Sequence, residues 1–331
     1  MSVGGVDTTA ETPRGGLRHF DLSVVRSYGI VVAFVALFVT LSITSDVFLT
    51  KDNLLNLAFQ AAPIGIMACG GALVFIAGGF DLSVGAIASF SAVIAGKAFV
   101  AGGVPLWPAM ILGALTGLGF GVMNGVLVTV GRVNAFIATL ATNFIVYGIS
   151  VAVTGGFLIS ISAESWATLG LGTFGSVNYP IFVWLGFALF CGFLLSRTAL
   201  GRYIYAVGGN AEAARLSGVR VGVVKASTFA ISGLSAGIAG VILASEVGTA
   251  QADADNLGNT FNAITAVVLG GISILGGEGA IWRAVLGAFF LQMLGNGFNL
   301  LNVQPVYQAV FKGVILLAAV SLDAWARRTR T

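Results

Sequence analysis

Runs of about 20 apolar residues recur along the whole chain, the length that crosses roughly 30 Å of hydrocarbon as a helix. Ten can be placed, at about 28–48, 54–77, 82–100, 107–130, 134–154, 180–196, 225–245, 258–275, 283–301 and 306–322. Only 9% of the 331 residues are charged, against about 25% in soluble domains. A water-soluble fold could not cover its surface with so few. The sequence therefore predicts an all-α, polytopic integral membrane protein of about ten transmembrane helices, because helices satisfy their own backbone groups where water is absent.

Charge gives this array an orientation. Six runs precede and four follow Ser196–Lys225, SRTALGRYIYAVGGNAEAARLSGVRVGVVK, which holds Arg197, Arg202, Arg215, Arg220 and Lys225. Even numbers on both sides put this loop and both termini on one face. Of the 16 Lys and Arg, all but Lys51, Lys97 and Lys312 fall there, and excess Lys and Arg marks the cytoplasmic side. The opposite connections, about 155–179 and 246–257, carry Glu164, Glu246, Asp253 and Asp255 and no basic residue. Residues 1–27 read as a polar cytoplasmic tail. The first run, Tyr28–Thr44, exceeds a signal-peptide core in length and is expected to stay as a span.

Several chemistries are excluded by what is missing. Cys69 and Cys191 both lie inside apolar runs, so neither disulfide nor redox chemistry is implied. The single histidine, His19, sits in the polar tail, which leaves no histidine-based metal site or catalytic triad. There is no GxxxxGK[ST] string, hence no ATP site of that type. DAD at 253–255 alone is too little for a metal-dependent transferase, and few carboxylates lie deep in spans, as ion coupling would need. The chain is expected to be no enzyme and to bind no metal, cofactor or nucleic acid. Its net charge of +3 belongs to loops beside lipid.

Two strings could carry function. GGFDLSVG at 78–85 joins the second and third runs on the cytoplasmic side. Gly78 and Gly79 allow a tight turn, after which Asp81 or Ser83 can cap the third helix ahead of Gly85. A simple cap and a gate or partner contact both fit. NAEAARLSG at 210–218 is expected to form a short helix capped by Asn210 and ended by Gly218. Glu212 falls in its first turn and Arg215 in its last. Ala213, Ala214 and Leu216 are expected to give it one small apolar side, which suits docking in a groove and equally a loop helix lying on the membrane surface. GGISILGGEGA at 270–280 echoes the first string weakly and carries no repeat.

Three runs place polar residues on one helical face: Asn53, Asn56 and Gln60; Thr139, Asn143 and Tyr147; Gln292, Asn296 and Asn299. Neutral amides and hydroxyls suit a hydroxyl-rich neutral cargo. They equally suit hydrogen bonding between helices, which contributes about 0.6–2 kcal/mol per contact in membranes.

These strings together resemble the permease subunits of bacterial ABC importers for monosaccharides, the ribose, xylose, arabinose and galactose group. The likeness covers about residues 28–325, read as the transmembrane permease domain with its coupling loop at 197–225. GGFDLSVG is similar to that group's GG-[IF]-DLSVG, NAFIATLAT at 134–142 to PxFIxTLGT, and LGRYIYAVGGNAEAARLSG to LGRxxYAxGGNxxAARLSG. Glu212–Gly218 also resembles the first half of the general EAA loop, whose second half is missing here. Asn134 stands where many members carry Pro. The resemblance implies a homodimer in the bacterial inner membrane. A periplasmic sugar-binding protein would deliver a pentose or hexose, and a separate ABC ATPase would bind the ATP. Asn210, Glu212, Ala213, Ala214, Arg215 and Gly218 would meet that ATPase. Gly78, Gly79, Asp81, Ser83 and Gly85 would shape the cytoplasmic turn or gate. Asn56, Gln60, Thr139, Asn143, Tyr147, Gln292 and Asn296 would line the path. A self-sufficient facilitator or secondary transporter, a nucleoside or branched-chain amino-acid permease, and a membrane transferase are the alternatives.

Overall fold

In the computed structural model of the chain, each predicted run with described residues is helical. The structure describes residues 22–254 and 256–304, and some positions of the last run between 306 and 321. The tail up to residue 21, Asp255, Lys312, Arg327, Arg328 and Arg330 lie outside the described residues. The long helices are α1 (Leu22–Thr44), α2 (Lys51–Ile76), α3 (Val84–Val100), α4 (Leu106–Thr129) and α5 (Ala135–Thr154). The connection after α5 holds β1 (Ile159–Ser160), a 3-10 turn (Glu164–Ala167), α6 (Thr168–Leu171), β2 (Thr173–Phe174) and β3 (Val177–Asn178). Then come α7 (Tyr179–Arg197), α8 (Ala199–Gly209), α9 (Ala211–Leu216), α10 (Val221–Val247), β4 (Thr249–Ala250), α11 (Asn256–Leu269) and α12 (Ile281–Leu300). Five of them, α2, α4, α5, α7 and α10, are by themselves long and apolar enough to cross a membrane.

Three elements depart from the expected spans. Helix α1 begins at Leu22, six residues before the expected start and inside the stretch read as the polar tail. Helix α11 stops at Leu269 rather than near 275, because Gly270 and Gly271 follow and Gly271 takes a left-handed φ of 72°. Apolar Ile272, Ile274 and Leu275 prolong the hydrophobic run without prolonging the helix. The basic loop also contains a helix, α8, ahead of the predicted one. Thr198 accepts a hydrogen bond from Gly201 N–H at its start, and Gly201, Ile204 and Val207 form its buried side.

Helix α10 lies at the centre, packed against α4, α2 and α3. Its crossing with α4 is backbone on backbone. A Cβ at Gly117 would fall 2.4 Å from the Gly233 carbonyl oxygen, and one at Gly233 would fall 2.3 Å from that of Gly117. Small residues at such spacing let membrane helices approach closely enough for dispersion to hold them. The packing is reciprocal: α3 rests on α10 and α11 on α2, α4 on α10 and α12 on α2, while α3 and α11 touch each other. Outward residues such as Phe144, Ile145, Leu189 and Phe193 are apolar and exposed, as lipid requires.

The two ends of the bundle are distinct. β1 pairs antiparallel with β4, Ile159 opposite Ala250, so the connections after α5 and after α10 share one end. Lys51 Nζ donates to Ser176 Oγ at 2.9 Å and Lys97 Nζ to the Val153 carbonyl at 2.8 Å, which places both lysines at that end too.

Candidate translocation and coupling site

Helix α2 ends in a turn that the GG pair makes possible. Gly78, at φ 72°, donates to the Phe75 carbonyl, and Gly79 N–H reaches back to Val74 O at 2.9 Å. The chain does not then stay at that end, as a surface turn would. Residues 79–83 run back into the bundle without helical structure, and α3 begins only at Val84. Leu82 is held on both sides by α5: its N–H donates to Thr139 Oγ1 at 3.1 Å, and its carbonyl accepts from Asn143 Nδ2 at 3.0 Å. Gly85 N–H donates to Thr260 Oγ1 of α11 at 3.0 Å. Irregular backbone at membrane depth persists only where protein supplies its hydrogen bonds; Thr139 and Asn143 do so for the segment, and Thr260 does so for the first turn of α3.

Asp81 occupies the middle of this segment at 2% exposure. Its Oδ1 accepts from Ser83 N–H at 3.0 Å and from Ser83 Oγ at 2.6 Å, and its Oδ2 accepts from Ser232 Oγ at 2.8 Å. The Ser83 hydroxyl accepts in turn from Asn124 Nδ2 at 2.8 Å, and Asn124 Oδ1 accepts from Thr142 Oγ1 at 2.6 Å. Four elements, α4, α5, α10 and the unwound segment, thus meet in one polar cluster with every member buried. Ser232 lies close to the midpoint of α10, a helix of 27 residues and about 40 Å. The cluster therefore sits deep in the bundle. Asp81 takes the N–H of Ser83, the residue before α3, while the first-turn N–H of Gly85 goes to Thr260. Ser83 itself makes no capping bond.

At the opposite end of the segment, the basic loop grips the same backbone. Gly277 N–H donates to the Ile76 carbonyl at 2.9 Å, joining the loop after α11 to the end of α2. Gly208 of α8 fits between them, where a Cβ would fall 1.8 Å from Ile76 O and 2.5 Å from Gly277 N. Tyr205 Oη donates to the Gly279 carbonyl at 2.7 Å. Next along the chain, Asn210 Oδ1 accepts from Glu212 N–H and Ala213 N–H at 3.1 and 2.9 Å and starts α9, as the sequence predicts. Gly218, at φ 84°, ends it. The expected single apolar side is divided. Ala214 turns inward and is buried, whereas Leu216 is 78% exposed, because residues two apart on a helix point to nearly opposite sides. Arg215 binds Glu212 at 2.6 Å on the outer surface and holds its carboxyl below the ordinary range.

Residues 53–320 match the family described as branched-chain amino acid transport system / permease component. The chain belongs to that family. It is 36% identical over 314 residues to the ribose import permease protein RbsC of Escherichia coli, covering 93% of this chain and 97% of the relative. It is 38% identical over 324 residues to the L-arabinose ABC transporter permease protein AraH of Azospirillum brasilense, covering 96% and 92%. The ribose import permease protein RbsC of Bacillus subtilis is 38% identical over 307 residues, covering 92% and 94%. No solved structure matches the chain.

Within this permease the three polar faces have different surroundings. Two of them meet: Asn53 and Asn296 exchange side-chain hydrogen bonds at 2.8 and 3.2 Å, Gln292 Nε2 donates to the Gln60 carbonyl at 2.9 Å, and Gln60 Nε2 donates to Asn56. They join α2 to α12, and Asn299 accepts from Gln308. The third face stands apart on α5, where Thr139 and Asn143 hold the unwound segment and Tyr147 is exposed. Asn124, Thr142, Ser232, Thr260, Tyr205 and Gly208 were not singled out from the sequence. The first of these had a readable signal, being the one asparagine inside the apolar α4 run. Among the described residues no cluster of His, Cys, Asp or Glu could hold a metal.

Proposed function

We propose that this chain is the membrane-spanning permease subunit of an ATP-driven ABC importer, and that its cargo is a monosaccharide, a pentose or hexose. The observation that carries the reading is the packing of α8 on the end of α2 and on the loop after α11 at once, through Gly208, Ile76 and Gly277. A pull on the basic loop reaches α2, the unwound segment and the loop before α12 without passing through a flexible link. The relatives named as ribose and arabinose permeases span nearly the whole chain and supply the cargo class. α9 offers exposed Leu216, Ala213, Glu212 and Arg215 to a partner ATPase, which would bind the ATP. A periplasmic sugar-binding protein would deliver the cargo to the end that carries β1 and β4. Two copies of the chain would form the membrane unit in the inner membrane, with the basic loop and both termini cytoplasmic. The chain itself would bind no cofactor and catalyse no reaction.

The test is uptake by the reconstituted complex of this chain, its ATPase and its binding protein in proteoliposomes. Ribose, xylose, arabinose and galactose are each compared with leucine, with and without ATP. ATP-dependent uptake of one of the sugars is expected. Leucine uptake alone would return the chain to amino-acid transport, and sugar uptake by the purified chain without ATPase would make it a facilitator.

A further inference from the structure

The loop after α11 displays a leucine where turn chemistry does not call for one. The Ser273 carbonyl accepts from Gly276 N–H at 3.2 Å, so residues 273–276 form a turn, and Gly276 and Gly277 follow at φ 91° and 76°. Turn positions ordinarily go to Gly, Pro, Asn, Asp or Ser. Here Ile274 packs against the core, while its neighbour Leu275 is 70% exposed. Lipid does not account for that exposure. The peptide after Leu275 rests on the end of α2: a Cβ at Gly78 would lie 3.7 Å from the Leu275 carbonyl oxygen, and one at Gly276 would lie 2.8 Å from the Gly78 Cα. Helix α2 is enclosed by α7, α10, α11 and α12. Leu275 therefore stands beneath the interior of the bundle, at the end that carries the basic loop, and faces water.

We propose that Leu275 is a second docking point for an ATPase partner, separate from α9; this rests on the reading above that such a partner exists. The turn is held firmly enough to serve. Gly277 N–H donates to the Ile76 carbonyl at 2.9 Å, and Ser273 N–H donates to the Glu278 carbonyl at 3.0 Å. The turn is also continuous with the surface that α9 presents. A Cβ at Gly277 would fall 2.9 Å from the Cα of Gly209, and Gly209 directly precedes Asn210, the cap of α9. By chain reach Leu275 and Leu216 are at most roughly 30 Å apart, within one side of a standard interface of about 800 Å². Exposed Gly209 and Ala213 lie between them and leave room for close approach. Burial of both leucines against one partner recovers hydrophobic stabilisation that water withholds. A partner seated on both would hold the two sides of the Gly208 junction, α8 with α9 and the loop before α12, as one body.

The experiment uses the full chain in nanodiscs with its ATPase and binding protein. Wild type, Leu275→Asp and Leu275→Met are titrated with the ATPase, and the unfolding temperature of each chain is measured without it. For Leu275→Asp the dissociation constant is expected to rise roughly tenfold or more, as for a central interface contact. Leu275→Met is expected to bind as wild type, and all three chains to unfold at the same temperature. Leu275→Cys is then labelled with a photoactivatable maleimide. Cys69 and Cys191 are buried, so the label reads position 275, and a cross-link to the ATPase is expected. Wild-type affinity in Leu275→Asp overturns the docking point. Cross-linking confined to lipid or to this chain overturns it too, as does a lowered unfolding temperature of Leu275→Asp alone, which would mean that the chain covers its own leucine. Failure of the unaltered chain to bind the ATPase overturns the reading of the partner instead, and is seen before any variant is made.

Discussion

Asp81 and Ser232 are 151 positions apart in the chain, yet the serine hydroxyl donates to the aspartate carboxylate at 2.8 Å in the interior of the bundle. The bond ties the unwound stretch before α3 to the central helix. No basic side chain is among the cluster's hydrogen-bonding partners. The carboxylate is satisfied by one backbone N–H and two hydroxyls, so its removal leaves several buried donors without an acceptor.

Ser232→Ala removes one of those donors and is expected to lower stability by about 1 kcal/mol, the scale of hydrogen bonds between membrane helices. Asp81→Leu is expected to cost more, because each buried donor left unsatisfied costs about 1–3 kcal/mol. Thermal unfolding of the detergent-purified protein, followed by tryptophan fluorescence, orders the two. Equal stabilities would show that the cluster does not hold the segment.

Gly208 and Gly209 make a matched pair. A Cβ at Gly208 meets the Ile76 carbonyl at 1.8 Å, whereas one at Gly209 meets nothing within 4 Å. Gly208→Ala is expected to push α8 off the end of α2 and the loop after α11. Transport should fall while the ATPase still binds, and the signature is ATP hydrolysis that no longer rises with the loaded binding protein. Gly209→Ala is expected to transport normally. If both behave as wild type, transmission runs elsewhere.

Leu216 is the large apolar side chain that α9 presents outward. Leu216→Asp places a charge where a partner would bury it, which costs unless the charge is paired. The variant protein is expected to insert and fold as wild type and to lose copurification of the ATPase. Ala214→Asp, by contrast, is expected to destabilise the chain itself, since Ala214 is buried against its own protein. Copurification and unfolding temperature measured together separate the two effects.

The Glu212–Arg215 pair gives a pH expectation. Arg215 depresses the Glu212 pKa, so whatever the pair contributes is present above the ordinary glutamate range and is lost as pH falls through the depressed value. Both side chains are exposed, where such pairs contribute little. Assembly with the ATPase is therefore expected to be flat between about pH 6 and about 8, with both groups ionised throughout. A steep change within that window would assign control to another group.

The helices and the capped α9 were legible because hydrophobic runs and capping residues are local signals. Asn210 and Gly218 stand where the structure uses them. GGFDLSVG was legible as unusual but not as deep, because the groups that admit it, Asn124, Thr139, Ser232 and Thr260, are single polar residues scattered over four helices. The end of α11 is hidden in the sequence because Ile272, Ile274 and Leu275 continue a hydrophobic run past the glycines that stop the helix. The division of Ala214 from Leu216 follows from the rotation of the helix once its contacts are known. Gly208 lies in the string LGRYIYAVGGNAEAARLSG, but which glycine of its GG pair meets other backbones is not written there, since a close approach of three backbones is recorded only as the absence of side chains.

The unwound segment also imposes an order on synthesis. Its backbone and its carboxylate emerge with α2 and α3, but Thr139, Asn143, Ser232 and Thr260, which satisfy them, are made later. Until α10 and α11 leave the ribosome, residues 79–85 have no place in hydrocarbon, where unsatisfied groups cost several kcal/mol each. The nascent chain must keep this stretch in contact with water or with the insertion machinery while more than half of the polypeptide is already made. A fragment ending before α10 should then be a substrate for membrane quality control, and a fragment ending after α11 should escape it.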